Sequence, residues 1–147
     1  MVGAPQTERM AGYLVKRVQQ ALRRNCDAAL RHTGLSMAQY SALRALANHP
    51  NASAAELARL CFVTRQSLQD VLTGLRTAGL VGPADAPARG RAKSLVVTPA
   101  GLDQLGAADA AISGVEEAMT AGLSRPARAQ LSALLSVCAE NLEAAAP

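Results

Sequence analysis

Between residues 64 and 73 the sequence reads TRQSLQDVLT, a run of side chains able to recognise phosphate oxygens and the edges of nucleobases. A glutamine amide both donates and accepts, which matches the N6 and N7 groups of adenine. Serine and threonine hydroxyls suit a phosphate or either base class, an aspartate accepts from cytosine N4, and an arginine bonds a phosphate or a guanine edge. At about 100° per helical residue, Gln66, Asp70, Thr73 and Thr77 fall on one side, flanked by Ser67 and Gln69, with Thr64 and Arg65 in the first turn. Leu68, Val71, Leu72 and Leu75 fall on the other. Most polar helix faces are simply solvated, so this pattern alone leaves two readings open, a base-reading face and an ordinary wet one.

The neighbouring elements decide how much weight the first reading carries. Residues 9–32 place Leu14, Val18, Ala21, Leu22, Cys26, Ala29 and Leu30 at the 3.6-residue period of a long helix, and Thr33-Gly34 stops it. Ser36 and Gln39 form a capping-box pattern for a second helix that Pro50 ends by about residue 48. Ser53 and Glu56 repeat the pattern for a short helix over 56–60. Thr64 caps the next, which stops at Gly79-Leu80. Pro83, Pro87 and Gly90 then break helical texture, while residues 94–97 read SLVV and suit a strand, so 80–98 reads as a two-stranded hairpin with a basic tip. Thr98-Pro99 opens a helix bearing Leu102, Leu105, Ala108, Ile112, Val115 and Met119 at three-four spacing. Ser124 and Pro126 start the last, with Ala127, Leu131, Leu134, Leu135, Cys138 and Leu142 on one face. A short capped helix, a tight turn, a second helix and a hairpin follow one another in the order of a winged helix-turn-helix.

The chain has 147 residues, half of them apolar and 18% charged, which suits one globular domain. The aromatic residues are Tyr13, Tyr40 and Phe62, so leucine, valine, alanine and methionine must build the core. No apolar run reaches the ~20 residues of a membrane span and the first residues lack a signal-peptide pattern, so a cytoplasmic protein is expected. Charge is uneven: residues 1–53 carry a net +5, 54–98 a net +3 and 99–147 a net −4, within +4 overall. A basic body suits an anionic polymer, though the total is modest. Two long amphipathic terminal helices cannot hide their stripes in one small middle, and a second copy of the chain is the simplest cover.

The segments ELARLCFVTRQSLQDVLTGLRTAGLV and ADAPARGRAKSLVVTPAG, preceded by GLSMAQYSALRAL, resemble the MarR family of bacterial transcriptional regulators. The resemblance runs in order and proportion over about residues 10–143. It implies a mainly α fold with a small two-stranded β wing: a single domain over 1–147, with dimerisation helices at 9–34 and 99–145 and a winged helix-turn-helix lobe at 36–98. It also implies a homodimer on a palindromic double-stranded DNA site, with a helix in the major groove and a wing arginine in the minor groove. Carried over by position, the readers are Thr64, Arg65, Gln66, Ser67 and Gln69, with Asp70 and Thr73 on the same face and Arg89, Arg91 and Lys93 on the wing. Many relatives are repressors released by small aromatic or anionic ligands, and some by thiol oxidation. Tyr13, Tyr40 and Arg44 bring aromatic and cationic character to the first two helices and are the candidate effector residues.

Two departures bear on affinity. Asp70 stands where members often carry a basic or neutral residue, and Gly82-Pro83 where basic residues are frequent. Both subtract positive charge near phosphates, so salt dependence should be gentler. Asp70 either selects cytosine or pairs with Arg65 or Arg76. The competing reading is a winged-helix module that has lost specific DNA binding and holds a protein partner instead. Cys26, Cys61 and Cys138 read as packing thiols; Cys26, beside Arg23 and Arg24, is the redox candidate. His32 and His49 sit at helix C-termini, and no Cys/His/Asp cluster has metal-ligand spacing. Neither cofactor nor catalysis is expected, because no phosphate loop, nucleophile elbow, zincin or dinucleotide motif is present.

Overall fold

In a computed structural model the chain is described over residues 3–84 and 95–146. By packing it divides into a unit ending at Val115 and a smaller one beginning at Glu116. A 3-10 turn over Gln6–Arg9 precedes α1 (Ala11–Leu30), and a second over Arg31–Thr33 ends it. Then come α2 (Met37–Asn48), α3 (Ala54–Leu60), α4 (Arg65–Thr77), β1 (Val81–Pro83), β2 (Leu95–Val97), α5 (Pro99–Met119) and α6 (Arg125–Ala145). The fold is mainly helical with one two-stranded sheet, as the sequence leads one to expect.

Each helix of the middle begins where a side chain satisfies its orphan N–H groups. At α2 the Gln39 N–H donates to Ser36 Oγ at 3.1 Å and the Ser36 N–H donates to Gln39 Oε1 at 3.0 Å, a complete capping box. At α3 only half of the expected box forms. The Glu56 N–H donates to Ser53 Oγ, but the Glu56 carboxylate accepts from the Ser53 hydroxyl at 3.1 Å instead of reaching back to the backbone. At α4 the Ser67 N–H donates to Thr64 Oγ1 at 3.0 Å. The helix ends in a paired stop: the Gly79 N–H donates to the Arg76 carbonyl and the Leu80 N–H to the Leu75 carbonyl. Gly79, at φ 76°, supplies the left-handed residue that this stop requires.

The core of the first unit is a leucine cluster. Leu30 of α1, Leu43 of α2 and Leu68 and Leu75 of α4 are its largest fully buried side chains. Each contributes about 2–3 kcal/mol by leaving water. Helix α4 packs on α2, α3 and β1, and α2 also meets β2. The strands pair antiparallel in the register Val81↔Val97, Gly82↔Val96 and Pro83↔Leu95. The expected strand is thus present over its last three residues, and the hairpin tip lies outside the described residues.

One residue ties the sheet to the helix before it. Thr98 donates its N–H to the Leu80 carbonyl at 3.0 Å and its hydroxyl to the Gly79 carbonyl at 2.6 Å. The same oxygen accepts the Gly101 N–H at 3.1 Å, so one threonine caps α5 and fastens it to the end of α4. Gln104 adds a second tie, donating to the Thr33 carbonyl at 2.6 Å.

The terminal stripes are left partly uncovered within the chain, as their length leads one to expect. On α1 only Cys26 and Leu30 are buried, whereas Leu14 and Val18 are exposed. On α5, Leu105 and Ala108 are buried but Leu102 is 55% exposed. In the smaller unit, Ser124 accepts from the Ala127 N–H and starts α6 as expected, and Arg128 pairs with Glu117 at 3.1 Å. No residue of α6 is buried within the chain; Leu134, Leu135 and Leu142 are exposed, and so is Cys138 on the same stripe. Periodicity marks an apolar face but not what covers it.

Candidate nucleic-acid interface

Helix α4 buries Leu68, Leu72 and Leu75, half-buries Val71, and leaves Thr64, Arg65, Gln66, Ser67, Gln69, Asp70 and Thr73 exposed. The separation of polar and apolar sides matches the wheel drawn from sequence. Its N-terminal end is pre-set by the cap. Thr64 Oγ1 accepts the Ser67 N–H while its own hydroxyl donates to Ser67 Oγ at 3.0 Å. That leaves the Ser67 hydroxyl proton free for an acceptor such as a phosphate oxygen. Arg65 makes no ion pair with a described residue, so its guanidinium stays available at the end of the helix where an anion is best placed.

Asp70 takes neither partner proposed for it. Gln66 Nε2 donates to Asp70 Oδ1 at 3.2 Å, one helical turn along, and neither Arg65 nor Arg76 pairs with it. Arginines five residues before and six after lie off its face, whereas i and i+4 are neighbours. The carboxylate therefore engages one donor of the Gln66 amide and leaves its oxygen and second N–H outward. Thr73 spends its proton on the Gln69 carbonyl at 2.9 Å, so it can offer only a methyl and an acceptor oxygen. The wing candidates Arg89, Arg91 and Lys93 lie outside the described residues.

A second cluster joins α2 to α5. Asp109 accepts from the Tyr40 hydroxyl at 2.8 Å through Oδ1 and from Arg44 Nη1 at 2.6 Å through Oδ2. Tyr40 and Arg44, both candidate effector residues, are thus brought together by Asp109, which the sequence reading does not single out. The available signal was its position: Asp109 follows Leu105 by four residues and precedes Ile112 by three, placing a carboxylate on the apolar face of α5, where it needs a partner. Arg44 Nε is buried with no hydrogen-bond partner among the described residues. Tyr13 is 45% exposed on α1 and belongs to none of these bonds.

Burial and the hydrogen bond to Asp109 push the Tyr40 phenol up to about 12. A raised value means that the folded state holds this proton more tightly than the unfolded chain. The stability this confers is whole below the unfolded value near 10 and is lost as pH climbs toward 12. In a Tyr13→Phe protein, where Tyr40 is the single tyrosine, tyrosinate absorbance should rise with a midpoint near 12 instead of 10. The further change Asp109→Ala should bring the midpoint partly down, since burial remains.

Cys26 is 3% exposed, whereas a redox sensor needs an accessible thiolate. Burial also raises the Cys61 thiol. Among the described residues no group of three or more His, Cys, Asp or Glu side chains could hold a metal, and no helix is long and apolar enough to cross a membrane.

A capped short helix, a tight turn, a helix with an exposed polar face and an antiparallel pair define a winged helix-turn-helix protein. A family model described as MarR family matches residues 33–92. The HTH-type transcriptional repressor Rv2887 of Mycobacterium tuberculosis is 33% identical over 124 residues, which is 84% of this chain and 89% of the relative. The structure of the Mycobacterium tuberculosis MarR family protein Rv2887 with salicylic acid superposes with a TM-score of 0.73, at 32% identity, over 92% of this chain and 97% of that one. The structure of the same protein with DNA gives a TM-score of 0.71 at 31% identity, over 92% and 98%. The chain belongs to the MarR family of transcriptional regulators.

Proposed function

We propose that the protein is a sequence-specific double-stranded DNA-binding regulator that acts as a homodimeric repressor in the cytoplasm and lets go of its operator when a small aromatic acid binds. The observation that carries this reading is the N-terminal half of α4: a capped helix end with an arginine in no ion pair among the described residues, a glutamine amide held by Asp70 and a serine hydroxyl, all exposed together. Thr64, Arg65, Gln66, Ser67 and Gln69 take base edges and phosphates in the major groove, with Asp70 positioning Gln66 and Thr73 at the margin. Arg91 is the proposed minor-groove contact, supported by Arg89 and Lys93. That Rv2887 forms a complex with DNA supports a DNA-binding role.

The exposed apolar residues Leu14 and Val18 of α1 and Leu134, Leu135 and Leu142 of α6 support a dimer, because apolar surface of this kind calls for a covering partner. The salicylic acid complex of Rv2887 supports an aromatic carboxylate as effector. Tyr40 and Arg44 are the proposed contacts, since the unpartnered Arg44 Nε–H gains an acceptor that it lacks. Tyr13 is the outer candidate.

Selection of bound sequences from random duplex DNA tests the reading. An inverted repeat with half-sites about one helical turn, roughly 10 base pairs, apart should emerge. A pool that stays random through successive rounds would overturn it.

A further inference from the structure

Phe62 is placed against two preferences at once. It is the one residue other than glycine with positive φ among those described, at 57°, and its side chain is 94% exposed. The Phe62 N–H donates to the Arg59 carbonyl at 3.2 Å and the Val63 N–H to the Ala58 carbonyl at 3.0 Å, the paired stop of α3. The left-handed position of such a stop favours glycine, because a β-carbon there crowds the following carbonyl. The same position after α4 is held by Gly79, and Gly34 ends the turn after α1. Neither the backbone nor burial accounts for a phenylalanine. Strain of this kind persists mainly at sites where the side chain has a task.

Its surroundings indicate the task. Phe62 stands two residues before Thr64, at the end of α4 that carries exposed Arg65, Gln66 and Ser67. In helix-turn-helix proteins this is the end that approaches the bases while the preceding helix crosses the backbone. Arg59 in the last turn of α3 is also exposed and in no ion pair with a described residue, so an exposed cation stands three residues to either side of Phe62 along the chain. The turn is therefore continuous with the proposed interface and carries the charge that a polyanion requires. Duplex DNA offers an aromatic ring two apolar surfaces, the deoxyribose face and the thymine methyl.

We propose that Phe62 is a further DNA-contacting residue, whose ring packs on an apolar part of the duplex at the edge of each half-site. This rests on the reading of α4 as the recognition helix. The ring is held ready in the groove-facing turn, and the left-handed backbone is the cost of aiming it.

The test compares the parent with Phe62→Gly and Phe62→Asn on the inverted repeat obtained by selection. Glycine relieves the backbone and asparagine tolerates it, so both variants should melt at or above the parent temperature, glycine a few degrees higher. Both should bind about ten-fold more weakly, in keeping with the loss of one good apolar contact. Replacing single thymines by uracil removes only the methyl. A loss confined to one thymine and absent in the variants assigns the ring to that methyl, and a loss indifferent to uracil assigns it to the sugar; either outcome supports a DNA contact. Variants that bind the repeat as tightly as the parent would overturn the proposal while leaving the regulator reading intact, and would give this surface to a protein partner. Variants that lose dimer mass would also overturn it, because the ring would then be packing on a second copy. A parent with no preference for any duplex would overturn both.

Discussion

Replacing Arg65 by glutamate should lower affinity for the operator by about 100-fold or more at ~0.1 M salt, while the melting temperature stays level or rises slightly. The two effects separate because they arise from different neighbours. Within the fold Arg65 is exposed in the first turn of α4 and pairs with no described acidic residue, so its removal breaks nothing. The positive end of the helix dipole prefers an anion at this position, so glutamate is locally favourable by a few tenths of a kcal/mol. At the DNA surface the order reverses. One cation contact is lost and a negative charge is set against phosphates, on a chain whose net charge is only +4. Binding measured by fluorescence anisotropy at several salt concentrations should also show a slope reduced by roughly one for the lost phosphate contact. Arg65→Ala should fall between parent and glutamate.

Changing Gly101 to alanine should destabilise the first unit by about 2–4 kcal/mol, visible as a drop of many degrees in thermal melting. A β-carbon at Gly101 would overlap the Leu80 carbonyl oxygen and press into Val97 Cγ1. One neighbour is backbone and the other is the last residue of β2, so neither moves without breaking what surrounds it. The Leu80 carbonyl already accepts the Thr98 N–H, and Thr98 closes the exit of the sheet onto the end of α4. Alanine would push α5 off that junction and loosen the seat of α4 as well. Gly106 supplies the control: a β-carbon there meets nothing within 4 Å. Gly106→Ala should therefore stabilise the same helix by about 0.5–1 kcal/mol.

The legible parts of this fold are those decided locally. Ser36, Thr64 and Ser124 announce their helices because each is a hydroxyl placed just before an amphipathic run, where it can accept the N–H three residues on, and Gly34 and Gly79 announce the stops. The inner side of α4 follows from the 3.6-residue period, and Leu68, Leu72 and Leu75 are buried as that period requires. Parts decided at a distance were not legible. Asp109 meets Tyr40 across 69 residues of chain, and no local pattern names its partner. The stripes of α1 and α6 are too long for one small core and much of each is exposed, as their length implies, but periodicity does not name the residues that cover them. Phe62 concealed a left-handed turn that a glycine would have disclosed. Asp70 was decipherable, since its i−4 neighbour Gln66 was the better-placed partner throughout.

On this reading the exposed face of α4 reads a sequence. Its most direct test is the ratio of two dissociation constants for the pure protein, one for the selected inverted repeat and one for a scrambled duplex of the same composition and length, at one stated salt concentration. A preference of about 1,000-fold or more is expected, with two chains bound per repeat, and Gln66→Ala should remove most of that preference. Equal affinity for both duplexes would contradict it.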